Sequence, residues 1–124
     1  MDKNIKSALL FEMHKAINES SNSATNDIEN LDLTYPPGID FTSSELLALK
    51  NMDLSGDAKS ALKKIITDAC SYPLFQLFSL LDGVADPNDI NEWCGLTLTN
   101  KNEQDEEMLH DDFYESFHDY QNKC

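Results

Sequence analysis

Apolar residues near the start of the chain recur at helical spacing, with Ile5, Ala8, Leu9, Met13, Ala16 and Ile17 on one side and Lys6, Glu12 and Lys15 elsewhere around the wheel. This pattern predicts an amphipathic helix over residues 5–17. The stretch that follows, "NESSNSATNDIEN", has few apolar groups and reads as a polar loop or linker at about 18–30. "LDLTYPPG" is next, an extended segment stopped by two prolines. At "FTSSELLALKNM" Thr42 and Glu45 have the spacing of a capping box, and Phe41 and Leu46 stand at the hydrophobic-staple positions, so a helix begins there.

A Ser55 cap opens the next helix, which carries Ala58, Leu62, Ile65, Ile66 and Ala69. Proline suits a first turn and not a helix interior, so Pro73 predicts either two helices or one sharply kinked helix. The piece after it, "LFQLFSLL", is apolar nearly all round, and Leu74, Phe75, Leu77, Phe78 and Leu81 are the expected central core. Gly83 is its expected stop. In "WCGLTLT", Cys94, Leu96 and Leu98 alternate with Gly95, Thr97 and Thr99, the period of a half-buried strand, for which "LDLTY" is the one obvious partner. Near the end, Leu109, Phe113, Phe117 and Tyr120 fall in a narrow arc of a helical wheel, with acidic residues around the remainder. The expected fold is mainly α, within the α+β class: four to five helices around a buried central helix, with a minor two-stranded β element. At 124 residues the chain holds one domain, taken as 1–124.

Charge narrows the partners. Nine cations face 23 acids for a net charge of −14, every cation is a lysine, and the chain has no arginine. Without the residue best suited to bidentate phosphate recognition and to reading guanine edges, direct nucleic-acid binding is disfavoured. From Asp82 onward there are 12 acids and two lysines, a balance of −10, so long-range steering would come from this third and favour a basic protein. No apolar run approaches the ~20 residues a membrane span needs, and the start does not read as a secretory signal. Cys70, Cys94 and Cys124 are odd in number, widely spaced and without a CxxC pair, which fits reduced thiols and a cytoplasmic chain.

Candidate chemistry concentrates in "EEMLHDDFYESFHDY". Glu107, Asp111, Asp112, Glu115 and Asp119 lie off the apolar stripe, and His110, Tyr114 and His118 form an i, i+4 ridge at its border. These eight are the expected partner-binding residues. Glu107-x-x-His110 and Glu115-x-x-His118 resemble the ligand pairs of helix-bundle di-metal sites, but such sites take each pair from a different helix. Here both pairs share one helix, ~12 Å apart along its axis, too far to serve one dinuclear centre. The "DGVADPNDINEW" loop fails as a calcium hand, because Val84, Pro87 and Trp93 occupy its third, sixth and twelfth positions. Nucleophile elbow, phosphate-cradling glycine loop and His-Glu-x-x-His are all missing from the sequence. No catalytic, cofactor or metal residue is therefore assigned.

"LFSLLDGVADP", "WCGLTL" and "EEMLHDDFYESF" together resemble a small acidic family of uncharacterised bacterial domains, some of them similar to immunity proteins of polymorphic toxin systems. The resemblance covers about residues 41–120 and implies a cytoplasmic, antitoxin-like binder with no catalytic residues. The expected function is thus a non-catalytic protein-binding domain that occludes a basic partner through its acidic C-terminal helix. The alternative is a small metal-dependent enzyme or metal-binding protein using His110, His118 and nearby acids. Neither oligomeric state nor partner identity is legible in the residues.

Overall fold

The computed structural model describes residues 3–30, 40–88, 91–99, 101 and 109–123. Four helices are described: α1 (Lys3–Asn30), α2 (Ser43–Lys50), α3 (Gly56–Leu81) and α4 (Leu109–Lys123). The chain is mainly helical. Among the described residues there is no strand.

The first helix is far longer than its apolar pattern predicts. Residues 18–30, expected as a loop, continue α1 without a break. The reason lies in what the polar stretch packs against. Along α1 the covered positions include Leu9, Met13, Ile17, Ser21 and Thr25, an unbroken i, i+4 ridge, with Ala24, Asp27 and Ile28 half-buried beside its end. On α3 a second such ridge, Leu62, Ile66, Cys70, Leu74 and Phe78, is half-buried. α1 packs on α3, and the lower half of the α1 ridge is made of small residues rather than large apolar ones. Ser21 is fully buried and Thr25 nearly so. Their hydroxyls stay inside the helix: Ser21 Oγ donates to the Asn18 carbonyl at 3.0 Å, and Thr25 Oγ1 donates to the Ser21 carbonyl. A small side chain with its polar group already satisfied can be buried at low cost, so the Ser/Asn stretch docks by close approach.

The two long helices run antiparallel, since the start of α1 shares a groove with the end of α3 and the end of α1 shares a cleft with the start of α3. α2 touches α1. It begins as its sequence predicts, with Glu45 N–H donating to Thr42 Oγ1 at 3.2 Å and Thr42 N–H donating to Glu45 Oε1 at 2.8 Å. Phe41 and Leu46 are half-buried at the staple positions. α3 opens on Ser55, whose Oγ accepts from the Ala58 N–H at 3.2 Å. Pro73 lies inside α3, which is one helix rather than two. α1 packs on α3 and lies beside it on both sides of the proline, near residues 59–63 and again near 78–81, and this packing offsets the backbone hydrogen bond that proline removes.

The expected buried central helix is corrected. In the second half of α3, Leu74, Phe78 and Leu81 are half-buried, while Phe75 is 68% exposed and Leu77 is also exposed. The all-round apolar pattern marks two different faces: one covers α1 and the other is open. Ile17 is the single buried large apolar residue among those described, at 7% exposure.

The expected two-stranded β element is not seen among the described residues. "WCGLTLT" is not a strand; it folds back on the end of α3. That end is a Schellman motif, with Val84 N–H donating to the Ser79 carbonyl at 3.0 Å and Gly83 N–H to the Leu80 carbonyl at 3.2 Å, around a Gly83 with φ of 76°. The incoming segment then takes up two terminal carbonyls. Trp93 Nε1 donates to the Leu80 carbonyl at 2.8 Å, and Leu96 N–H donates to the Leu81 carbonyl at 2.9 Å. Gly95, with φ of 88°, breaks any extended run. Its expected partner, "LDLTY", lies outside the described residues.

Candidate protein-binding site

α4 carries the expected site. It is a continuous helix over Leu109–Lys123 with Asp111 and Asp112 in its first turn, where acidic groups complement the helix dipole. Asp111, Asp112, Glu115 and Asp119 are exposed. Asp111, Glu115 and Asp119 follow one another at i, i+4 and form a single acidic ridge. His110 is exposed, with Nε2 3.3 Å from Asp111 Oδ1. Both side chains are well solvated, so this pair orients the imidazole more than it stabilises the helix. Tyr114 and His118 lie on the same helix, and Glu107 lies outside the described residues.

Leu109 and Tyr120, at the two ends of the apolar stripe of α4, are exposed too, at 76% and 68%. Among the described residues α4 packs against no other helix. A 15-residue helix rich in Asp, His and aromatic residues has weak intrinsic helicity, and helices of this length are marginal in water unless an apolar face is covered. The structure therefore gathers acids and open apolar groups on one helix. Among the described residues no three His, Cys, Asp or Glu side chains are grouped to hold a metal ion. No described helix is long and apolar enough to cross a membrane.

A second feature was not legible in the sequence. The N-terminal half of α1, the end of α3 and residues 94–98 enclose an apolar groove of about 610 Å³. Leu9, Leu10, Phe78, Leu81, Leu96 and Leu98 wall it, with Lys6 and Asp82 as its charged residues and the exposed Cys94 on its lining. The alternation of Cys94, Leu96 and Leu98 was the only hint. It signals an apolar surface without saying that helix ends, rather than a partner strand, supply the rest of it.

No protein-family model, no curated protein and no solved structure matches this chain.

Proposed function

We propose that this chain is a non-catalytic binding domain of the inhibitor or immunity type, acting in the cytoplasm, which occludes a basic protein with α4. The observation that carries the reading is the state of α4: exposed Asp111, Asp112, Glu115 and Asp119 beside the open Leu109 and Tyr120, on a helix that packs against no other described helix. An amphipathic helix of this kind suits a groove on a partner, with its apolar stripe as the anchor. The acidic ridge would draw in a cationic surface and set the rate of encounter. The absence of arginine and the balance of −10 after residue 81 support a basic protein over a phosphate ligand.

The test is kinetic. Wild-type protein is used to isolate a basic partner, and binding is then followed at several salt concentrations. The double variant Asp112→Lys/Glu115→Lys should associate more slowly and with a flatter salt dependence, with helical content unchanged. Tyr120→Ala should speed dissociation instead, because aromatic anchors hold a complex together once formed. Unchanged association and salt dependence in the double variant would mean that the acidic ridge only solvates the helix. Metal analysis of untagged protein tests the alternative: a stoichiometric, tightly held transition metal would favour the metal-dependent reading over the binding one.

A further inference from the structure

We propose that the apolar groove between α1, α3 and residues 94–98 is the resting seat of the chain's own α4, so that the helix either covers the groove or engages a partner. The docking stands on the geometry alone. The alternation between groove and partner rests on the binding role proposed above.

Both surfaces are open in this structure and neither suits water. The groove exposes Leu10 of α1 together with Leu96 and Leu98, and α4 exposes Leu109 and Tyr120 along one side. Contiguous apolar patches of this kind mark a site that something covers. Leu109, Phe113, Phe117 and Tyr120 have the i, i+4, i+8, i+11 spacing with which a helix fills a groove. The volume, about 610 Å³, is enough for several such side chains.

Chain length identifies the occupant. Leu98 is itself part of the groove wall, and only residues 102–108 separate Lys101 from Leu109. Eight residue steps span up to about 29 Å, so α4 can return to the wall from which it departs. A short tether of this length gives an effective concentration on the order of millimolar, well above that of a second copy in ordinary solution. Net charge acts in the same direction, since two chains of −14 repel each other. Local charge sets the direction of approach. Lys6 lines the groove and Lys3 is exposed on the same helix, which favours Asp111 and Asp112 at that edge and away from Asp82.

Cys94 supplies the readout, because it is exposed and lines the groove. In a Cys70→Ser/Cys124→Ser protein it is the sole thiol, and its alkylation rate by iodoacetamide reports whether the groove is covered. Against the same protein carrying Leu109→Asp/Tyr120→Asp, alkylation should be about fivefold slower, as a groove closed about four-fifths of the time would give, and independent of protein concentration. The reciprocal variant Leu96→Asp changes an exposed groove residue outside every helix and should speed amide exchange in α4 by a similar factor, with Trp93 emission showing that the end of α3 is intact. Equal alkylation rates together with unchanged exchange overturn the proposal. Protection that grows with protein concentration also overturns it, in favour of a second copy. Neither measurement contains a partner, so their failure leaves the binding role of α4 to its own kinetic test.

Discussion

Gly83 and Gly95 meet backbone to backbone at the end of α3. A Cβ on Gly95 would lie 2.9 Å from the Gly83 nitrogen and closer still to the Leu81 carbonyl oxygen, and a Cβ on Gly83 would lie 2.9 Å from the Cys94 carbonyl oxygen. Both residues have positive φ, which side-chain-bearing residues rarely adopt. This contact lets the Leu96 N–H reach the Leu81 carbonyl and the Trp93 indole reach Leu80, and so it builds one wall of the groove.

Gly95→Ala should therefore destabilise the protein by about 1–3 kcal/mol from backbone strain alone, with the clash in addition. Gly56→Ala is the contrast. A Cβ there meets nothing within 4 Å, and the change should be neutral or stabilising by up to about 1 kcal/mol. Urea denaturation followed by Trp93 fluorescence compares the two. Equal midpoints would show that the glycine contact does not shape the folded state.

The seam of α1 against α3 predicts a dependence on size at Ser21. Ser21→Leu introduces a large side chain at a fully buried position and should cost about 1–3 kcal/mol. Ser21→Ala removes a hydroxyl bonded only within its own helix, and should shift stability by less than about 1 kcal/mol. Far-UV circular dichroism during thermal melting measures both. Tolerance of leucine would mean that residues 18–30 stand away from α3.

Ile17 and Phe75 separate the packed face from the open one. Ile17→Ala, at the buried apolar position of α1, should cost about 2–4 kcal/mol, while Phe75→Ala, on the open face of α3, should stay within about 1 kcal/mol. Calorimetric melting decides between this arrangement and a central α3 buried on all sides, which would make Phe75 the more damaging of the two.

The α2 cap predicts a loss of order in acid. The Thr42 N–H donated to its carboxylate, then the Thr42 hydroxyl, hold Glu45 below its ordinary pKa of 4.5. A depressed carboxylate pKa means the folded form favours the ionised group, so the contribution is complete above the unfolded value and disappears as pH falls through the folded one. The protection factors of the Thr42, Glu45 and Leu46 amides, that is, exchange relative to the intrinsic rate at each pH, should fall below about pH 4.5. Glu45→Gln keeps an acceptor for Thr42 without a titrating group, and should remove that pH dependence. Persistence of the acid response in Glu45→Gln would assign it to other carboxylates.

Local chemistry was fully legible in the sequence. The Thr42/Glu45 box, the Ser55 cap, the Gly83 stop and the amphipathic α4 each depend on residues within a few positions of one another, so their hydrogen bonds and periodicities are written in neighbouring residues. The acidic ridge of Asp111, Glu115 and Asp119, with Asp112 beside it, was legible for the same reason. What only the tertiary structure decided depends on surfaces brought together from far apart. Ser21 and Thr25 read as loop residues because their composition offers no apolar burial; a facing helix makes small size, not hydrophobicity, the quantity that matters. Leu96 and Leu98 read as a strand because alternation records apolar positions without naming what they face, and in the folded chain the carbonyls of Leu80 and Leu81 take donors of this segment. Phe75 read as core because a sequence states how apolar a helix is all round, whereas burial depends on how many neighbours arrive, and α1 covers only one side of α3.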